Sequence, residues 1–479
     1  MKKKAILCLL ALIMVYTVYA QQYNSESDFN VTPLDGGRSV EITKYVGNGQ
    51  TVNIPPQIAG MSVTRIGNSA FKGNRIINVT IPNSVNSIGI EAFSTCSSLT
   101  SVAFANGSRL ETINYRAFWS CENLTSITIP VSVTTIGDSA FRSCTSLSNI
   151  TIPTGVTVIG KESFFMCTNL SRITISTGVR SIEERAFYLC RSLISIAIPV
   201  GVRSIGKEAF AYCSSLSSIT IPASVSAIGD NAFYSCARLT IITVDTNNFS
   251  YSSQSGILYN SLRTELIVAA SAGISGSVTI PSSVTSIGNG AFMYCTEVTS
   301  ITIPAGVTSI GLGAFNSCTS LAGITVAANN PNYSSQNGIL YNKAKTVLIK
   351  APAGLSGSIT IPIGVTEIGE WAFSYCESIR NITIPAGVTS IGEYAFQNCT
   401  NLTIITIPVS VTSIGSSAFS NCYNITSITI PAGVTSIGFG AFHSWTAAQT
   451  INIQGKTNQS AADAAWRSNW RNNCYARIV

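Results

Sequence analysis

The segment I-T-I-P recurs along most of the chain, and within it apolar and polar positions alternate with a period of two among β-branched side chains. That alternation predicts a short strand, as at Ile127-Thr128-Ile129, with isoleucine pointing inward and threonine outward. Proline follows at Pro82, Pro130, Pro153, Pro199, Pro222, Pro281, Pro304, Pro362, Pro385, Pro408 and Pro431. It ends the strand because it has no N–H to give to a ladder and holds φ at about −65°. Ser176 shows that the turn forms without it. A second apolar pair follows, as in Val133 and Ile136, and then a glycine in twelve of fourteen copies, including Gly137, Gly160, Gly206 and Gly229. A positive φ or a close backbone approach is expected there. Asn114 and Glu183 are the exceptions: asparagine tolerates the left-handed region, whereas Glu183 predicts local strain or a changed turn. The unit closes with x-x-A-F-x-x-C, long enough for one helical or 3-10 turn.

Phenylalanine sets the period. Phe118, Phe141, Phe164, Phe187, Phe210 and Phe233 fall 23 residues apart, and the spacing returns from Phe292 to Phe315 and from Phe373 to Phe442. A unit of that size cannot bury its apolar residues alone, so neighbours must stack. The prediction is one repeat solenoid over residues 63–455, mainly β, with the phenylalanines in its core and a parallel sheet whose rungs lie about 4.8 Å apart. The outward threonines of that sheet form a ladder that starts at Thr80 and has one gap at Ala197. Thr128, Thr151, Thr174, Thr220, Thr302, Thr383, Thr406 and Thr429 are its candidate contact residues.

Two coils are longer and match each other, Tyr251–Asn260 against Tyr333–Asn342. Apolar runs flanking Asn260–Arg263 and Asn342–Lys345 read as β-hairpins, inserted near residues 245–279 and 327–360. The simpler reading is that they continue the stack. The functional one is that they project and offer Tyr251, Tyr259, Tyr333 and Tyr341 to a partner, which adds Tyr259 and Tyr341 to the candidates. Residues 21–62 are irregular and are expected to cap one end. Residues 456–479 are expected to cap the other, with Trp466 and Trp470 at helical spacing.

The N-terminus has Lys2, Lys3 and Lys4 before an apolar run to Ala20, the layout of a secretory signal over residues 1–20. No transmembrane anchor is expected after its removal. The formal charge of +7 is dispersed, and no basic run with interleaved aromatics appears, so nucleic acid is an unsupported partner. Twelve of the fourteen cysteines lie three residues after a repeat phenylalanine. An exported chain invites disulfides, but stacking gives each thiol two equivalent neighbours, which favours a buried column of free thiols bonded to carbonyls. No C-x-x-C pair marks a metal site. With His443 as the one histidine, no nucleophile–base pair is evident, and neither enzyme activity nor a cofactor is expected.

The unit L-T-S-I-T-I-P-x-x-V-T-S-I-G-x-x-A-F-x-x-C, running from about Val63 to Gly455, resembles the repeat of BspA-like leucine-rich repeat surface proteins; Tyr45-Val46-Gly47 and the G-I-L-Y-N insert resemble features of that family too. The resemblance implies a curved leucine-rich-repeat array, exported to the cell surface or secreted. It also implies binding to host extracellular-matrix or cell-surface proteins such as fibronectin and fibrinogen, aggregation with other bacteria, and host-cell entry. The alternatives are a self-associating envelope scaffold and a hydrolase on a β-solenoid, the latter needing carboxylates clustered on adjacent coils.

Overall fold

A computed structural model describes residues 23–455, 463, 466 and 468–479. The expected signal segment lies outside the described residues. The chain forms two compact units, Met1–Phe210 and Ala211–Val479, and each is a stack of β-coils.

In the first unit the I-T-I segments pair in parallel, in the order Thr51–Asn53, Asn78–Ile81, Ser101–Phe104, Ser126–Ile127, Asn149–Ile152 and Arg172–Ile175. Proline or Ser176 ends most of these strands, and the valine three residues on donates its N–H back across the turn, as Val133 does to Pro130 O and Val179 to Ser176 O. The next apolar pair makes a second parallel sheet, which the sequence reading did not assign. Its two-residue strands stack Ile88 on Ile113 and Ile113 on Ile136, and farther along Ile159 on Ile182 and Ile182 on Ile205. Between the sheets runs the phenylalanine column, with near-parallel rings whose centroids are 5.2–5.6 Å apart from Phe93 to Phe210. Residues 29–45, expected to be irregular, form an antiparallel hairpin of Phe29–Leu34 with Ser39–Tyr45. Tyr45 extends the aromatic column onto Phe71.

The segment from glycine to cysteine corrects two expectations. It is not a helical or 3-10 turn but a chain of turns, in which Ala140, Arg142 and Cys144 donate to Gly137 O, Ser139 O and Phe141 O. Left-handed residues interrupt it at Ser139 (φ 58°) and Ser143 (φ 60°), positions that recur in every regular coil and are mostly not glycine. That reversal aims the alternate N–H groups of Ser139, Phe141 and Ser143 at Lys161 O, Ser163 O and Phe165 O of the next coil. Each turn arm is thus a third ladder. The glycines that open these arms do not have positive φ; they are there for close approach, since a Cβ on Gly137 would lie 2.6 Å from Tyr115 N. The expected strain at Glu183 is absent too: its φ is not left-handed, and it makes the usual bonds to Ile159 O and from Ala186 N. Asn114 is likewise not left-handed and bonds Ile88 O through Nδ2.

The second unit repeats this plan with two interruptions. Each long coil is a three-stranded antiparallel meander, Tyr251–Gln254, Ile257–Asn260 and Glu265–Ala269, then Tyr333–Gln336, Ile339–Asn342 and Val347–Lys350. The last strand of each rejoins the parallel sheet, Leu266 level with Ile287 and Leu348 with Ile368. The simpler reading of the insertions holds. At the C-terminal end Arg477–Ile478 adds a strand beside Thr450–Ile453, and Trp466 and Trp470 are buried.

Candidate functional site

The candidate threonines stand in register wherever the strands extend far enough to pair them. Thr151 lies beside Thr174, Thr220 beside Thr243, Thr302 between Thr279 and Thr325, Thr383 beside Thr360, and Thr429 beside Asn452. Thr128 and Thr406 fall just past two-residue strands. All eight are exposed or half-buried. Thr243, Thr279, Thr325 and Thr360 join the columns although the sequence reading did not include them. Thr243 and Thr325 sit in I-T-V segments without the proline that guided it.

Hydrogen bonding separates these hydroxyls from others nearby. Thr125, Ser148 and Ser171 donate to carbonyls of the preceding coil, as do Thr308, Thr389, Thr412 and Thr435 on the other sheet. Those groups serve the stack. Among the described residues none of the eight candidate hydroxyls is bonded to a protein atom, so their donors and acceptors face outward unspent. Ile241 and Ile404, 55% and 63% exposed, add apolar spots to the same strands.

Tyr259 and Tyr341 are not contact residues. They are 2% and 1% exposed, because the middle strand of each meander is covered on both sides, and burial pushes the Tyr341 phenol up to about 12. Tyr251 and Tyr333 do not project either; their hydroxyls accept the N–H of Ile228 and Ile310, groups left at the edge where the insertion interrupts the sheet.

A second surface, missed in the sequence, follows the turn arms of the first unit. Glu91 pairs with Lys72 at 2.5 Å and with Arg116 at 3.7 Å, and hydrogen bonding from Lys72 holds its carboxyl below the usual range. Arg116 lies over Tyr115 and Trp119. Arg142 pairs with Glu162 and stacks on Phe165, whose ring packs on Tyr188 at 4.8 Å. Arg185 bridges Glu162 and Glu208 and covers Tyr188. The signal was present as charged and aromatic residues alternating at two positions of the arm, one before Ala-Phe and one after. It becomes a column only once the arms are known to stack.

Among the described residues the cysteines are buried and free. Cys121, Cys144, Cys167 and Cys190 donate to the carbonyls of Phe93, Phe118, Phe141 and Phe164, and Cys318, Cys399 and Cys422 repeat the bond. Trp445, at the cysteine position of the last repeat, makes it through Nε1 to Phe419 O. Burial raises the Cys144, Cys236 and Cys422 thiols to about 12, which keeps them protonated and poor as nucleophiles or ligands. Among the described residues no group of three His, Cys, Asp or Glu is placed to hold a metal ion. No helix among them is long and apolar enough to cross a membrane.

The repeat profile and one solved structure agree with this geometry. The profile of the BspA type leucine rich repeat region matches residues 64–191, 134–261, 273–356 and 353–469. A leucine rich cell surface protein from Faecalibacterium prausnitzii is 27% identical, covers 93% of this chain and 98% of its own, and superposes with a TM-score of 0.52. A leucine-rich repeat protein from Bacteroides ovatus is 24% identical over 96% of this chain and 100% of its own, with a TM-score of 0.48. No curated protein matches. With its profile spanning nearly all the coils, the chain belongs to the BspA-type leucine-rich repeat family.

Proposed function

We propose that this protein is a surface-exposed or secreted, non-enzymatic binding protein that adheres to host matrix proteins or to other bacteria through the outward threonine columns. The observation that carries this reading is the row of hydroxyls in register with no bond to the protein. Each offers one donor and two acceptors at a fixed spacing, so many weak contacts add by multivalency rather than by one strong pocket. The family and the cell-surface description of the Faecalibacterium protein support the location. Solid-phase binding of the secreted chain to fibronectin and fibrinogen tests it. Replacing Thr151, Thr174, Thr220 and Thr383 with Glu is expected to reduce binding at least about tenfold, the loss of roughly 1.4 kcal/mol of contact energy. Unchanged binding sinks the site.

The arginine and aromatic column supports a second reading of where contact is made, since Trp, Tyr and Arg dominate binding hot spots. If Arg116→Ala with Trp119→Ala abolishes binding while the threonine variant does not, the turn-arm face is the adhesive one.

A further inference from the structure

Most regular arms give three N–H groups to the next coil. Gly290, Phe292 and Tyr294 donate to Leu312, Ala314 and Asn316, and Trp371, Phe373 and Tyr375 donate to Glu393, Ala395 and Gln397. The arm from Gly311 to Cys318 faces an insertion coil instead. Among the described residues the N–H groups of Gly313, Phe315 and Ser317 meet no protein acceptor. The cause is chain length: Leu348 to Ser358 spans ten residues where the paired stretch Ile368 to Asn381 spans thirteen. The shortened coil offers these N–H groups no acceptor and leaves a cleft of 290 Å³.

The two walls differ. On the far wall Lys350 donates to Trp371 O and Ser374 O, and Ala351 N to Ala372 O, so those carbonyls are satisfied. On the near wall Gly313 and Phe315 present N–H groups without an acceptor. Exposed Glu367 and Glu370 line the cleft, and its one basic residue, Lys350, is buried. The matching cleft at the first insertion, 350 Å³, carries Asp230 and Glu265 and no Lys or Arg. Two acidic clefts in a chain of net charge +7 call for a basic occupant.

We propose that the cleft at the second insertion docks an extended basic peptide segment, whose carbonyl oxygens take the N–H groups of Gly313 and Phe315 and whose Lys or Arg side chain meets Glu367 and Glu370. The peptide supplies the acceptors that a full coil would have supplied, which is strand addition at an open backbone edge, and the carboxylates select its charge. The residues differ from those of the threonine columns, so the two readings fail separately.

The test uses the full mature chain and two capped, fluorescein-labelled peptides that follow the pattern of the turn arm, Gly-Lys-Ser-Ala-Phe-Arg-Ser and Gly-Glu-Ser-Ala-Phe-Glu-Ser. Fluorescence anisotropy is expected to show saturable binding of the first, at least about tenfold tighter than the second and weakening as salt rises. Amide hydrogen exchange over Gly311–Cys318 is expected to slow with the basic peptide alone. In Glu367→Lys/Glu370→Lys that protection is expected to disappear, with the thermal midpoint retained. No saturable binding of the basic peptide overturns the proposal. So does binding that leaves exchange over Gly311–Cys318 unchanged, or protection that survives in the double variant or at high salt.

Discussion

The regular turn arm and the insertion arm share strands, register and a buried aliphatic core, yet differ in what their backbones do. In the arm Gly137–Cys144 left-handed residues turn every second N–H to the next coil, and the cysteine thiol adds a further bond to the preceding one. In the arm after Leu348 three residues are missing, and Ala351, bonded to Ala372 O, makes the rung that a phenylalanine makes in a regular arm. The difference teaches that two short sheets suffice to stack these coils, while the arms decide whether the surface between them is closed. Where an arm is short, one side chain repairs one wall: the ammonium of Lys350 meets Asn316 Oδ1 and two carbonyls. Burial lowers its proton affinity, and three acceptors surround its nitrogen.

Alkali gives the largest expected effect on the regular arms. The Cys144, Cys376 and Cys422 thiols rise from an ordinary 9.0 to about 12 on burial. Below pH 9 each is protonated in folded and unfolded chains alike. Above it only the unfolded chain releases its protons, so each thiol costs about 1.4 kcal/mol of stability per pH unit until about pH 12. Denaturant titration across that window is expected to show a steep fall, which flattens when Cys144, Cys376 and Cys422 are replaced by Ala. A fall that the replacement leaves unchanged breaks the claim that buried thiols line these arms.

Substitution separates the tight arms from the open surface. A Cβ at Gly392 would lie 2.7 Å from Glu370 N and Gly369 C, whereas at Gly387 the nearest atom is Val365 O at 3.6 Å. Gly392→Val is expected to destabilise by about 3 kcal/mol, the upper range for overpacking, and Gly387→Ala by nearly nothing. Equal thermal midpoints for the two variants contradict the close approach. Lys350→Met leaves Asn316 Oδ1 and the carbonyls of Trp371 and Ser374 without their donor, at a cost of about 2 kcal/mol. Val268→Met, at the matching position of the first insertion, is expected to cost less than half of that by the same denaturant measurement. The smallest expected effect is a gain: Ser139→Gly relieves a left-handed residue and stabilises by about 1 kcal/mol, while Gly313→Ser, at the same position of an arm facing an insertion, loses a similar amount.

Much of this was legible from residue spacing. The period, the I-T-I strand, the proline stop, the buried phenylalanines and the protonated thiols follow from alternation and from what a 23-residue unit cannot do alone. The glycine was legible only in part, because a sequence does not tell a positive φ from a close neighbour. Gly137 is close to Tyr115, a residue 22 positions earlier in the chain. Tyr259 and Tyr341 misled because a tyrosine beside a turn reads the same whether its strand lies at the edge of a meander or in its middle.

The sequence by itself determined the repeat, its core and the outward run of threonines, since these rest on side-chain polarity at a fixed period. Tertiary structure alone decided the second sheet, the left-handed arms, the arginine and aromatic column and the clefts beside the insertions. Those depend on which backbone groups of one coil meet those of the next, and a hydrogen bond between coils leaves no mark on the polarity of the residues that make it.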